Sequence, residues 1–392
     1  MKKMLKCNLC GGTEFESLYK RNDIEIINRK ESFTMNIDNA ICKKCGLIFQ
    51  NSPMNKEKLN SFYTYQYRQS EIVGGNVRQQ QKEYLKKFLG DKKGKILDIG
   101  SFEGLFLNLF KEEGWESVGV EPCSEAANIC EEKYGITVYK DMFENILFSE
   151  NEFDVISIRH VLEHVDDALN TILLMKKYLK DDGIIFIEVP NIEKFDFYNI
   201  ADSYDFQHIY NFSVNTIINY LNKCGLEIID VQADLAYSGM RFICKKGDYK
   251  EIKNNYIDNK KMALKYKEKR EENLSYMRKL LREKNIEWKN KNSRIFIYGA
   301  GFHTAQMFQY VMDKNEFNVS GLIDKDKNKE GKEFFGYETF NAEDCGNLGE
   351  EDVIIISSYA FQNEIFNYLE PLKKKGVEII KLYRETYSYD TL

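Results

Sequence analysis

The amino-acid sequence predicts an α/β protein built on a parallel sheet with helices on both faces, with a four-cysteine module ahead of it and a smaller α/β unit behind it. Three observations carry this. Lys95–Gly104 reads KILDIGSFEG, an apolar run closing on Asp98, Gly100 and Gly104 and followed by the apolar helix start Leu105–Phe110. Between Asp91 and Lys246, short apolar runs alternate with helical patterns, the order that yields a parallel sheet. Arg294–Gly301, RIFIYGAG, then opens a second strand–turn–helix.

At 392 residues the chain exceeds one ordinary core, and it divides into segments 1–60, 61–90, 91–246, 247–292 and 293–392. Its 56 basic and 62 acidic residues leave a net charge of −6, which argues against a nucleic-acid surface. No apolar run approaches the roughly 18 residues of a membrane span, and Met1–Lys6 lacks a signal-peptide apolar stretch. A cytoplasmic location is expected, with no membrane span.

Segment 1–60 carries Cys7-x-x-Cys10 and Cys42-x-x-Cys45, each pair followed by glycine. Four thiolates at this spacing can surround a structural Zn2+ tetrahedrally, and the metal would supply folding energy to a stretch with little core. Disulfides are the alternative, disfavoured in a reducing compartment. The other five cysteines fall on helix or strand patterns and read as small core residues. Segment 61–90 opens within Leu59–Arg68, LNSFYTYQYR, which reads either as a connecting helix or as a lid whose Tyr63, Tyr65 or Tyr67 hydroxyl reaches a substrate.

Segment 91–246 holds the predicted strands Lys95–Ile99, Ser117–Val120, Thr137–Tyr139, Phe153–Ile158, Gly183–Val189, Leu226–Gln232 and Met240–Lys245. Helices are expected at Leu105–Glu113, Ser124–Tyr134, Asp167–Leu179 and Asn215–Cys224. Ligands of such sheets lie beyond the carboxyl ends of the strands, so the loops at Gly100–Gly104, Glu121, Asp141, His160–His164 and Pro190–His208 converge on one cleft. Gly100 and Gly104 are four apart, which departs from G-x-G-x-x-G and disfavours a dinucleotide. Glu121, at the end of the second strand, is placed to accept both hydroxyls of a ribose. Three of the four histidines, His160, His164 and His208, fall on this rim. Histidine can accept a proton at neutral pH, so a base is expected there.

The D-x-G-x-x-x-G turn from Asp98, the acidic strand end at Glu121, Asp141-Met142 and FDVISIRHVLEH together resemble the class I S-adenosylmethionine (SAM) dependent methyltransferases. The resemblance implies that SAM is held by Asp98, Gly100 and Gly104 at its methionine end, by Glu121 at the ribose and by Asp141 and Met142 at the adenine. CNLCGG, CKKCGLIFQ, HVLEHV and QHIYNFS are similar to motifs of the nucleotide-sugar C-methyltransferases, across nearly the whole chain. That likeness implies His208 as the catalytic base and His164 in the supporting position, with His160 and Glu163 lining the acceptor site. Where that family has Tyr-His-Glu-His, this chain reads Asp205-Phe206-Gln207-His208, so a tyrosine and a carboxylate are missing. Tyr204 and Asp205 are the shifted substitutes, and Gln207-His208 also resembles the Q-H-x-x-x-F-S segment of glycan-associated methyltransferases. Methylation at carbon and at oxygen both stay open.

Segment 247–292 is rich in Lys and Glu, with Leu274, Met277, Leu280 and Leu281 at helical spacing, and reads as a solvated linking helix. In segment 293–392 the turn Gly299–Thr304 is near G-x-G-x-x-G, and Val319–Asp324 ends a second strand in a carboxylate. It resembles the C-terminal domain of the C-methyltransferases and the nucleotide-sugar domain of sugar acyltransferases. The readings are a dinucleotide site, a sugar-nucleotide contact through His303 and Tyr359, or a frame for the cleft. The expected activity is methylation of a nucleotide-activated or glycan-destined sugar. The rivals are a zinc-bearing methyltransferase acting on RNA or another small molecule, and a non-catalytic sugar-nucleotide binder.

Overall fold

The computed structural model describes residues 6–27, 32–53, 75–204, 207–235 and 237–384. Tyr63, Tyr65 and Tyr67, with the rest of the aromatic segment, lie outside the described residues, as do Asp205 and Phe206. The described residues fall into two compact units, one from Met1–Phe195 with Tyr204–Leu264, the other from Asp196–Ser203 with Lys265–Thr391.

The first unit opens with an antiparallel sheet. Strands β1 (Phe15–Ile27), β2 (Ser32–Cys42) and β3 (Ile48–Gln50) pair in succession, and β3 pairs on its other side with β9 (Tyr210–Asn211). The module therefore has a core of its own, with Ile37, Ala40, Ile41, Leu47, Ile48 and Phe49 buried. One of its strands comes from beyond residue 200, so 1–60 is not self-contained.

The larger sheet is built as expected from β4 (Lys95–Ile99), β5 (Glu116–Val120), β6 (Thr137–Tyr139), β7 (Phe153–Arg159), β8 (Leu179–Pro190), β10 (Leu226–Gln232) and β11 (Gly239–Lys246). Its order is β10-β11-β8-β7-β4-β5-β6, parallel except where β11 runs against β8 and β10. Helices α1 (Gly75–Leu89), α2 (Leu105–Lys111), α3 (Ser124–Tyr134), α4 (Ala168–Tyr178) and α5 (Val214–Cys224) accompany it. The chain runs outward through β4, β5 and β6, then crosses back to β7 and β8. The reversal between β4 and β7 is a topological switch point, where open α/β sheets bind ligands.

The second unit carries the sheet β14-β15-β13-β12-β16-β17, formed by β12 (Arg294–Tyr298), β13 (Val319–Asp324), β14 (Glu333–Phe334), β15 (Tyr337–Asn341), β16 (Asp352–Ile356) and β17 (Glu378–Lys381). Helix α6 (Tyr256–Lys291) corrects the linker expectation: Leu274, Met277 and Leu281 are buried in this unit's core with Trp288, Ile295 and Ile355. Its polar residues outnumber the apolar ones, which gave it the look of a solvated connector. Among the described residues no helix is long and apolar enough to cross a membrane.

Candidate active site

Strand β4 delivers its glycine turn at the switch point. Gly100 N donates to Val120 O at 2.8 Å, and Gly104 precedes α2. Both glycines have positive φ, 73° and 78°, and a Cβ at Gly100 would overlap Val161 while one at Gly104 would overlap Cys130. The turn is thus packed against Val161, in the loop after β7, and against Cys130, on α3, in places where only a residue without a side chain fits. At the next strand end, Glu121 Oε2 accepts from Phe102 N at 3.0 Å and Oε1 from Cys123 N at 2.9 Å. Burial raises the Glu121 pKa, and these two bonds oppose the rise. Asp141 is exposed, with Oδ1 accepting from Met142 N and Asn145 Nδ2, both at 2.7 Å.

Beneath the turn lies a polar network that the sequence reading did not find. Asp98 is fully buried, with Oδ2 2.6 Å from Arg159 Nη2 and Oδ1 accepting from Ser157 Oγ at 2.6 Å. Arg159 also donates to Gln81 Oε1 at 2.8 Å and lies 3.8 Å over the Phe106 ring. Gln81 Nε2 donates to Glu188 Oε1 at 2.9 Å, and Arg241 Nε donates to Glu188 Oε2 at 2.7 Å. Arg78, on α1, donates to Gln81 Oε1 at 3.1 Å, and burial lowers its pKa to about 10. The available signal was a charged or amide residue interrupting an apolar run, as Arg159 does in FDVISIR and Glu188 in IIFIEVP.

The loop His160–His164 brings the expected acceptor residues together. His164 Nδ1 donates to Gln207 O at 2.9 Å, its Nε2 stands 3.6 Å from Glu163 Oε1, and its ring centroid is 5.0 Å from that of His208. Polar atoms of Glu163, His164 and His208 lie within 4.8 Å of one another. Burial favours the neutral Glu163, but the nearby histidines outweigh it and lower its pKa. His160, at φ 53°, is 3.1 Å from Glu188 and 3.6 Å from Glu163. Burial works against its charge, yet the two carboxylates raise its pKa to about 9.

Other expected substrate contacts are placed differently. Tyr204 is 2% exposed, packed edge-on against Phe195 and Tyr19, so its ring belongs to the packing and not to an open surface. Gln207 contributes its main-chain carbonyl to His164. His303 and Tyr359 lie in the second unit, where Tyr383 OH is 2.6 Å from His303 Nε2 and its ring packs on Tyr359. There Asp324, the carboxylate that ends β13, accepts from Ala300 N at 2.9 Å and Lys329 Nζ at 2.8 Å.

The four module cysteines converge, with Cys7 Sγ 3.6 Å from Cys45 Sγ and Cys10 Sγ 3.5 Å from Cys42 Sγ. A disulfide needs about 2.0 Å. A tetrahedron of bonds near 2.3 Å has edges of about 3.8 Å, which these separations approach, so the donor set fits zinc.

A family model described as a methyltransferase domain matches residues 73–231. The larger sheet and its helices have the class I methyltransferase fold. A second model, described as C2185-like, N-terminal, matches residues 291–380. Among curated proteins the chain is similar to the C-methyltransferase NovU of Streptomyces niveus, 23% identical over 52% of this chain and 49% of that one. It is also similar to the ubiquinone biosynthesis O-methyltransferase of Actinobacillus pleuropneumoniae serotype 7, 30% identical over 25% of this chain and 46% of that one. The chain thus spans about half the length of these curated relatives. A SAM-dependent methyltransferase of Archaeoglobus fulgidus overlays with a TM-score of 0.36, 24% identity, 44% of this chain and 93% of that one.

Proposed function

We propose that this methyltransferase domain uses SAM to methylate a small molecule, a nucleotide-activated or glycan-destined sugar, with His208 as the general base. The observation that carries the reading is the grouping of Glu163, His164 and His208 within 4.8 Å, the first two on a loop whose Val161 packs against the glycine turn at the switch point. SAM, when bound, supplies an electrophilic methyl on a sulfonium. What remains for the protein is to align the acceptor, exclude water and remove its proton.

In this reading the turn Gly100–Gly104 receives the methionine end, Glu121 accepts from the ribose hydroxyls and Asp141-Met142 edges the adenine. Asp98 is spent on Arg159 and Ser157, so it shapes the turn from below. Arg78 offers the methionine carboxylate a guanidinium. His164 donates its Nδ1 proton to Gln207 O and turns Nε2 towards the Glu163 carboxylate. His208 then takes the acceptor proton. The similarity to a C-methyltransferase and to O-methyltransferases leaves carbon and oxygen as competing target atoms. The four cysteines hold a structural zinc, with no open coordination position for chemistry.

The test is calorimetric titration of the zinc-loaded protein with SAM, then with sugar nucleotides in the presence of S-adenosylhomocysteine. Micromolar SAM affinity with a selective sugar-nucleotide response supports the reading. Absence of SAM binding overturns the cofactor assignment, and SAM binding with no sugar response moves the acceptor to another small molecule. His208→Ala is expected to keep SAM affinity and lose about 10²–10⁴-fold in turnover.

A further inference from the structure

A chain of hydrogen bonds and ion pairs connects the acceptor histidines to the glycine turn, and His160, its side chain 41% exposed, is the link that decides what the chain does. Its Nε2 is 3.1 Å from Glu188 Oε1 and its Nδ1 is 3.6 Å from Glu163 Oε1. An ionised carboxylate only accepts, so the hydrogen bond to Glu188 puts a proton on Nε2, and the Glu163 carboxylate facing Nδ1 at ion-pair distance favours a second proton there. His160 is therefore an imidazolium and has no lone pair with which to act as a base. Its left-handed backbone, at φ 53°, turns the ring into this position, and His160 N donates to Glu188 O at 2.8 Å.

Glu188 is fully buried and saturated. Oε1 accepts from Gln81 Nε2 at 2.9 Å and from Tyr237 OH at 2.5 Å besides His160, and Oε2 accepts from Arg241 Nε at 2.7 Å. Through Gln81 it reaches Arg159, and through Arg159 it reaches Asp98. Glu163 is the opposite case. It is 1% exposed, its Oε1 stands between His160 and His164, and its buried Oε2 has no hydrogen-bond partner. An ionised carboxylate with an idle buried oxygen is costly unless a donor arrives there during function.

Resting on the assignment of His208 as base, we propose that Glu188 is a positioning residue: by holding His160 as a fixed cation it sets Glu163 as the carboxylate that polarises the His164–His208 pair. This supplies from the loop after β7 the carboxylate that the segment ending at His208 does not place directly before its histidine. The charged and titratable groups facing His160 are Glu163, Glu188 and Tyr237. Those facing Glu188 are His160, Arg241 and Tyr237, with Arg78 and Arg159 behind Gln81. Those facing Glu163 are His160, His164 and His208.

The experiment is a pH titration of the histidine side-chain NMR signals in the full-length, zinc-loaded protein, without substrate. The chain has four histidines, and His160→Gln assigns the signal. His160 is expected to stay protonated through neutral pH, and Glu188→Gln to bring its titration down towards the ordinary value of ~6.5. Glu188→Gln leaves Arg241 without its carboxylate and can misfold, so His160→Gln, which keeps the Glu188–Arg241 pair, is the second variant. Both are expected to lower turnover by about tenfold to a hundredfold and to shift the pH profile, with SAM affinity within about threefold of wild type.

A His160 signal titrating near ~6.5 in the wild-type protein overturns the proposal. So does wild-type turnover and pH profile in both variants, or a second metal ion per chain lost on His208→Ala, which would make Glu163, His164 and His208 a cation site. The NMR titration needs neither SAM nor sugar, so its result stands apart from failure of the substrate assignment.

Discussion

Arg159 Nη2 lies 2.6 Å from Asp98 Oδ2, and both side chains are buried. The pair ties the end of β7 to the end of β4 across the switch point, next to the glycine turn that begins at Gly100. Ser157 donates to the other Asp98 oxygen and Gln81 accepts from Arg159 Nη1, which helps two charges stay inside the fold, while the buried Arg159 Nε has no hydrogen-bond partner among the described residues.

Arg159→Met leaves Asp98 buried without its counter-charge. The expected cost is about 3–5 kcal/mol in chemical denaturation, with weaker SAM binding, and Asp98→Asn in the same chain should recover part of the loss. Additive losses in the double variant would show that the two residues act independently.

Gly104→Ala introduces a Cβ into Cys130 at a φ of 78°, and Gly100→Ala one into Val161 at 73°. Either should abolish measurable SAM binding by calorimetry. Gly90→Ala is the control, since its φ is also positive, 58°, but nothing lies within 4 Å of the added atom. It should cost about 1 kcal/mol of stability and leave SAM binding intact.

Zinc loss should act on the acceptor side before the cofactor side. Gln50, at the end of β3, donates from Nε2 to His208 O at 3.1 Å and from its backbone N to Ile209 O at 2.8 Å. Cys7→Ser is therefore expected to remove the metal, lower the melting temperature and depress turnover by a larger factor than SAM affinity. Metal analysis should find one zinc per wild-type chain, and an equal loss of both functions would show general unfolding instead.

The second unit should weaken in acid. Burial lowers the His303 pKa to about 4, below the unfolded value near ~6.5. Between those values the unfolded chain binds a proton that the folded unit does not, so stability falls as the pH drops from ~6.5 towards 4. Hydrogen exchange in peptides from Lys265–Arg384 should rise over that window, and His303→Gln should flatten the dependence.

The parallel sheet was legible because buried strands announce themselves as apolar runs. KILDI, FDVISIR and RIFIY each became a strand, followed by Gly100, His160 and Gly299 respectively. Strands β1 and β2 were not legible: FESLYKRNDIEII and SFTMNIDNAIC are too polar to read as buried runs, and they pair antiparallel with each other. Helix α6 was legible as a helix but not as a core element, since only its partner surface reveals that Leu274, Met277 and Leu281 are covered.

For the candidate site, the sequence by itself determined the strand ends, the glycine turn, the four-cysteine spacing and the histidines on one rim, because each is a local pattern. Only the tertiary structure decided that Asp98 is spent on Arg159, that Glu163 stands beside His164 and His208, and that Glu188 holds His160. Those relations join residues far apart in the chain, and a buried charge shows its partner only once the fold has removed the water that would otherwise serve in its place.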